Sequence, residues 1–518
     1  MLCLNSINSI WCILGLVTVW FGRRWWRNHS QLPLPPGPKP LPLVGNMFDI
    51  PTERQWETYG DWSKKFDSDI IHLNVGGRSI VVLSSMEAIR ELFEKRFSLY
   101  SDRPRLPMIV ELMGWDFGIG VMKYGERSHR KLFHEAFNVA AAKEFQPQER
   151  AAAHALLRRI LNRPSDIMEH FRHMAAGLIM DVTYGINVNS PGDPYIGLAK
   201  EAMHGLSIAS VPRLFLVDSI PWLKYIPSWF PGAGFQRKAK QWRKVMRELL
   251  EAPFAHTKRN MVQGTAIPSF TSSSLAALES SNSQNTGKQE KETLIKATAA
   301  NMFAAGADTT VAALGSFALA MLANPGVQAK AQAEIDAVLG SEHLPDFADV
   351  DMLPYVSAVV KEVQQWRNVT PLAIPHYLAV DDEYRGYRIP AGTTVIGNTW
   401  AILHDEEMYP DPHLFKPERF LLDGKLNPAI QDPETATFGF GRRICPGRHM
   451  ATSSLMITIA SILATMNIKK ARDKNGEEIE PSHEYFPGLA LLPVPFECSI
   501  TPRSRKAIEV IEATSGSE

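Results

Sequence analysis

The segment Phe438 to Gly447, Phe-Gly-Phe-Gly-Arg-Arg-Ile-Cys-Pro-Gly, constrains this chain more than any other. It puts one cysteine, Cys445, in a glycine-bearing turn, followed by Pro446 and an apolar run from Met450 to Ala464. Proline suits the first turn of a helix, because the N–H it lacks would find no partner there. The pattern therefore reads as a tight turn feeding a helix, with Cys445 where free backbone N–H groups and the positive end of the helix dipole stabilise a thiolate. Gly439, Gly441 and Gly447 let the backbone approach a flat ligand closely. Arg443, two residues before the sulfur, is placed to neutralise an anionic group on such a ligand. Taken alone, a cysteine of this kind also serves as a small buried hydrophobe.

A second constraint is Thr293 to Ala323, a proline-free, alanine-rich run that predicts one long helix. Within it lies Ala305-Gly-Ala-Asp-Thr-Thr310, where Asp308 is an acid in apolar surroundings and Gly306 weakens the helix locally. A mid-helix threonine hydroxyl bonds the carbonyl one turn back and bends the helix, which opens room for a bound molecule. A solvated aspartate and a helix-packing glycine are the plainer reading.

Together the two stretches carry a resemblance. Phe438, Gly441, Arg443, Cys445 and Gly447 match the fixed positions of the cysteine-ligand loop of the cytochrome P-450 family, and Ala305 to Thr310 matches its oxygen-activation motif. The likeness runs from roughly Pro33 to Pro502 and is strongest to fungal microsomal members of secondary metabolism. It implies a mainly α fold with small β-sheets, preceded by an N-terminal transmembrane helix, and a haem b whose iron is axially ligated by Cys445. Such a ligand pushes electron density onto dioxygen and favours O–O cleavage. Phe438, Arg443 and Gly447 would then contact the haem, Thr309 would hydrogen-bond the dioxygen being activated, and Asp308 would relay protons.

The same resemblance places further residues. Pro371-Leu-Ala-Ile-Pro-His376 matches the segment beside the haem, which puts Leu372, Ala373 and Ile374 at the pocket and His376 near a propionate. Met113 and Trp115, in the Pro-, Met- and Trp-rich stretch Tyr100 to Gly118 that reads as a loop, join Ala305 and Leu489 as candidate pocket wall. Ordinary packing would account for each singly.

Two departures stand out. The family carries a Trp four residues before an Arg, both supporting a propionate; here Tyr124 to His134 is shortened, Arg130 matches the Arg, and Glu126 stands where the Trp is counted. The scaffold helix normally bears Glu-x-x-Arg locked to a later arginine. This chain has Glu362-Val-Gln-Gln365, with Arg419 as the later arginine. Glutamine lacks the charged fork of guanidinium, so Glu362 is left to Arg419 unless Arg367 substitutes.

Met1 to Gly22 has no charged residue and is apolar from Ile10 to Phe21, close to the roughly 20 residues that span a bilayer. Arg23, Arg24 and Arg27, mixed with Trp25 and Trp26, mark the following side as cytoplasmic. We read residues 1–22 as a signal anchor, residues 23–42 as a basic, proline-rich hinge, residues 43–502 as a haem-binding catalytic domain and residues 503–518 as a loose tail. The catalytic domain would face the cytosol from the endoplasmic reticulum. Lys plus Arg (55) equals Asp plus Glu (55), which gives no sign of a nucleic-acid surface. Cys3, Cys12, Cys445 and Cys498 form no zinc spacing or disulfide framework, as in a reducing compartment.

The function these readings imply is monooxygenation of a lipophilic terpenoid, polyketide or polycyclic aromatic. Electrons would come from a membrane NADPH-cytochrome reductase, with cytochrome b5 as a second donor. A reductase-independent isomerase or dehydratase of the same fold, and a degenerate non-catalytic membrane haem protein, are the alternatives.

Overall fold

A computed structural model describes residues 32–516 apart from 126, 189–191, 212–213, 281–284 and 341. The anchor at residues 1–22, the basic part of the hinge and Glu126 lie outside the described residues. The predicted long helix is present as Asn285–Ala323, 39 residues and about 58 Å at 1.5 Å per residue. Its first turns are polar and exposed, whereas from Ala297 to Leu322 it is apolar on nearly every side and mostly buried. By length and composition Gly287–Ala323 could cross a membrane, but 72% of its most apolar stretch is buried inside the protein, so it is the core helix.

Helix Ile167–Tyr184 crosses this central helix closely, and glycine makes the crossing possible. A Cβ at Gly306 would come within 2.8 Å of Ile179 Cγ1, and one at Gly315 within 2.9 Å of Met168 Cε. The plainer reading of Gly306 is thus what its surroundings show: it packs a helix. Helices Gln146–Asn162, Pro354–Trp366 and Arg448–Thr465 complete the helical layer, the last two both packed on the central helix.

The sheet lies to one side. Ile70–Val75 and Arg78–Leu83 form an antiparallel hairpin, turned by Gly76 and Gly77, both at positive φ. Thr393–Gly397 joins it in parallel and His376–Leu378 pairs with that strand in turn. The proline-rich start is docked rather than free: the N–H of His72 in this sheet donates to the Pro36 carbonyl, and that of Arg388, in the separate hairpin of Asp382–Tyr384 and Tyr387–Ile389, to that of Pro33.

The polar stretch after Gln263 contains helix Phe270–Ser280, which buries Phe270, Leu275 and Leu278. Two local expectations are corrected. The stretch read as a loop contains a π-helix, Pro107–Leu112, which Pro107 starts. The C-terminal tail is helix Arg505–Ala513, capped by Ser504 and seated by Ala507 and Ile511. In the helices Phe270–Ser280 and Arg505–Ala513 a few apolar residues at helical spacing outweigh polar composition. The connection after helix Pro194–Ala209 is largely exposed: Leu216, Trp222, Tyr225 and Trp229 face outward, while Phe215 and Val217 turn inward and Leu223 packs against the core.

Candidate active site

The cysteine loop is held by its backbone. A short helix, Glu434–Thr437, ends at Phe438, a tight turn covers Gly441–Arg443, and Cys445 N–H donates back to the Phe438 carbonyl at 2.8 Å. Gly441 sits at φ +55°, and a Cβ there would lie 2.2 Å from the Phe93 carbonyl oxygen, so the loop docks on Phe93 only with glycine. Gly447 is the N-cap of Arg448–Thr465, and a Cβ there would meet nothing within 4 Å. Pro446 therefore precedes the cap instead of opening the helix. Burial pushes the Cys445 thiol up, while the Gly447 N–H and the charges of Arg448 and Arg130 oppose it incompletely. The Gly447 N–H at the helix start favours the thiolate, as expected, but desolvation outweighs it, and a cation at the sulfur would tip the balance.

Beside the loop three guanidiniums converge. Arg443 donates from Nε to the Ser101 carbonyl (2.7 Å) and from NH2 to that of Met122 (2.8 Å). Arg130 reaches the carbonyl of Ile444, next to the cysteine, at 3.2 Å. Arg103, which sequence reasoning missed, donates to the carbonyls of Ile374 and Pro375 at 2.7 and 2.9 Å. Arg103 is held well below its ordinary value by burial and by the charges of Arg443 and Arg130, opposed only by Asp102. That carboxylate also accepts the backbone N–H groups of Arg103 and Tyr124. Arg103 Nε is buried with no partner among the described residues. His376 joins the cluster: Nδ1 lies 2.6 Å from the Tyr100 carbonyl, the ring stacks on Phe93, and burial and the Arg103 and Arg443 charges hold it well below its ordinary value. So much buried positive charge with an orphaned N–H requires an anion. The signal in the sequence was Asp102-Arg103-Pro104-Arg105, a charged run inside an apolar stretch.

The oxygen-motif side is built on the central helix. Thr309 Oγ1 donates to the Ala305 carbonyl at 2.8 Å, the predicted bond one turn back. Burial raises the Asp308 carboxyl, partly offset by Arg172, His204 and Lys200. Ala305 is exposed although Ala304 and Ala307 beside it are buried, so it borders open space. Met450, just after the cysteine loop, shares one hydrophobic cluster with Phe303, Ala304 and Ala307, which brings the two motifs to one place. Asn301, also missed, ties this helix down: its Nδ2 donates to the Phe117 carbonyl and its Oδ1 accepts the Ile119 N–H, both at 2.8 Å.

The pocket candidates divide. Met113 and Trp115 lie buried in that same cluster, Trp115 stacked on Phe117. Ile374 faces Gly120, whose Cβ would be 3.2 Å from its Cδ1. Leu372 instead packs with Trp56, Trp400 and Leu491, and Ala373, at φ +49°, sits in the core with Phe93 and Phe440. Both turn away into packing. Leu489 follows Gly488, whose backbone touches Ser207.

The scaffold pair is intact and singly charged. Glu362 accepts Arg419 Nε at 2.9 Å and the Lys416 N–H at 2.6 Å, with both side chains essentially inaccessible. Arg419 also donates to the carbonyls of Pro410, Asp411 and Leu414. Gln365 donates to the carbonyls of Leu403 and Pro412, leaving its Oε1 buried without a partner among the described residues. Arg367 does not substitute; it lies over the Trp366 and Trp400 rings. Burial consequently pushes the Glu362 carboxyl up to about 7.

These features define a helical protein with a buried thiol on a loop beside a cationic cluster. The cytochrome P-450 family model matches residues 35–500. The chain is 45% identical to cytochrome P-450 monooxygenase 98 of Postia placenta, with 97% of each chain covered. It is 44% identical to a cytochrome P-450 monooxygenase of Armillaria gallica, again with 97% of each covered. It is 42% identical to tryptamine 4-monooxygenase of Psilocybe cyanescens, with 95% of this chain and 96% of that one covered. The chain belongs to the cytochrome P-450 family, an enzyme family whose haem iron is ligated by a cysteine.

Proposed function

We propose that this P-450 monooxygenase holds its haem through Cys445 and oxidises a lipophilic small molecule in fungal secondary metabolism or xenobiotic oxidation. The observation that carries the haem placement is the cluster of Arg103, Arg130 and Arg443, with His376 beside Arg103 and Arg443, which two propionate carboxylates would neutralise. Haem, when bound, supplies dioxygen activation, so that one oxygen atom enters the substrate and the other leaves as water. The residues around it bind, orient and deliver protons. Phe438 and Gly447 shape the loop that presents the Cys445 sulfur. Asp308, whose carboxyl burial raises from its ordinary value, stands beside Thr309, and the pair would pass protons inward, carboxyl to hydroxyl.

Met113, Trp115, Ile374 and Ala305 give the substrate an apolar wall, which suits a terpenoid, polyketide or polycyclic aromatic. The activity for which the Psilocybe relative is named, 4-monooxygenation of tryptamine, adds small aromatic amines to the panel worth testing. Residues 1–22 anchor the protein in the endoplasmic reticulum membrane, and an NADPH-cytochrome reductase, with cytochrome b5, supplies electrons on the cytosolic side. The test is NADPH-dependent oxygen uptake by the chain with a microsomal reductase and a panel of such substrates. Uptake with an oxygenated product supports the reading; turnover that needs neither reductase nor oxygen would replace it with an isomerase or dehydratase.

A further inference from the structure

Arg367 ends the helix Pro354–Trp366 and, among the described residues, is paired with no carboxylate. Its guanidinium lies over the rings of Trp366 and Trp400, 4.5 and 5.3 Å from their centroids, and donates to the Trp366 carbonyl at 3.0 Å. Burial holds it below its ordinary value, and the first group to oppose this is the hydroxyl of Tyr485. A largely buried cation without a counter-ion depends on such ring faces and oriented dipoles. Tyr485 continues the line inward: its hydroxyl stands 3.2 Å from Ser316 Oγ, on the central helix, where Ser316 is fully buried. A phenol both accepts and donates, so it serves the guanidinium on one side and the serine on the other. The result is a polar line, Arg367 to Tyr485 to Ser316, set beside the apolar packing of Trp56, Trp400, Leu491 and Leu372.

What this line holds is a hairpin too small to hold itself. Tyr485–Phe486 pairs with Leu492–Pro493 through two residue pairs, and an isolated two-stranded hairpin is marginal at best. Its turn carries Leu489 and meets three walls. A Cβ at Gly315, on the central helix, would lie 3.1 Å from Pro493 Cγ. Leu491 N–H donates to the Val369 carbonyl at 2.8 Å, in the segment that follows Arg367. Gly488 presses on helix Pro194–Ala209, where a Cβ would collide with Ser207 Oγ. The turn therefore straps the central helix to helix Pro194–Ala209, and a shift at Tyr485 reaches Leu489 four residues on. Of the ties at its base, only the one through Tyr485 joins side chains by hydrogen-bonding groups.

We propose that Arg367 and Tyr485 are positioning residues of the pocket: by tying the hairpin to Ser316 they fix the turn that bears Leu489, and with it the fit of long ligands. The proposal rests on the haem-pocket reading above and adds the device that sets one of its walls. The test titrates the full-length, haem-loaded chain with imidazole, small enough to reach an iron without touching a wall, and with bifonazole, an imidazole bearing three phenyl rings. The Soret shift reports the binding of each. Tyr485→Phe, Ser316→Ala and Arg367→Met should each weaken bifonazole by roughly fivefold, because the ligand must then order the loosened wall, and leave imidazole within about twofold. Tyr485→Phe combined with Ser316→Ala should weaken bifonazole no further than either alone, since both remove one bond. Hydrogen exchange across residues 486–492 should quicken in all of them. Unchanged bifonazole binding, equal weakening of both azoles, additive effects in the double variant, or unaltered exchange overturns the proposal. Should Tyr485→Phe lose its haem, Ser316→Ala, which keeps the ring, decides by the same azole and exchange criteria. A natural chain whose Soret band neither azole moves removes the haem-pocket reading itself, and this proposal with it.

Discussion

Replacing Gln365 by arginine should strengthen the protein, and in a way that depends on pH. Glu362 is fully buried, paired with Arg419 alone, and pushed up to about 7 from an ordinary 4.5. Between those values the folded protein holds a proton that the unfolded chain has released. Stability therefore falls as pH rises through this window and is lowest above about 7. At about 1.4 kcal/mol per pH unit, keeping the carboxylate ionised at about pH 8 costs on the order of 3 kcal/mol. A second guanidinium beside Glu362 removes most of that cost. It also replaces the orphaned Gln365 Oε1, an acceptor whose burial costs about 1–3 kcal/mol, and keeps donors for the Leu403 and Pro412 carbonyls. The two effects share one site and do not add. The assay is the rate at which the Soret band is lost at a fixed elevated temperature. Gln365→Arg should slow it by roughly tenfold or more at about pH 8 and much less at about pH 5, where Glu362 of the natural protein is largely protonated and little ionisation cost is left to remove. Haem occupancy on expression should rise as well. An equal effect at both pH values, or none, refutes the reasoning. Faster loss at both would mean that the larger side chain overpacks the site.

Two further outcomes follow from the active site. Arg103→Leu removes a buried guanidinium from the proposed propionate cradle; haem transfer to an excess of apomyoglobin should quicken by roughly tenfold or more, since a charge-assisted hydrogen bond contributes about 1.5–3 kcal/mol. An unchanged transfer rate would remove Arg103 from the cradle. Thr309→Ala leaves the helix but not the hydroxyl that bonds Ala305, so NADPH consumption should persist while product per NADPH falls; unchanged coupling would reject the proton-delivery role.

The motifs that carry chemistry were legible because each is local. The cysteine loop is fixed by glycines at positive φ within a few residues, and the long helix by an unbroken apolar, alanine-rich run. Residues whose meaning depends on distant partners were not legible. Arg103 matters because Arg130 and Arg443 come to it from elsewhere in the chain, and Asn301 because Phe117 and Ile119 do. Leu372 and Ala373 were placed in the pocket by their position beside His376, but a positive φ at Ala373 turns this segment into the core. Gln365 was recognised as a departure, and the structure adds its consequence: no other arginine takes over, so Glu362 carries a raised carboxyl. The helices Phe270–Ser280 and Arg505–Ala513 escaped notice because their seating residues are few and their remaining positions polar.

The central claim is that the Cys445 sulfur holds the haem iron. The absorption spectrum of the reduced, carbon-monoxide-bound protein tests it most directly, measured for the natural chain and for Cys445→Ala. The account predicts the red-shifted Soret band of a thiolate-ligated haem in the first and its loss in the second. A chain that stays colourless when hemin is supplied, or a Cys445→Ala variant with an unaltered spectrum, would contradict it.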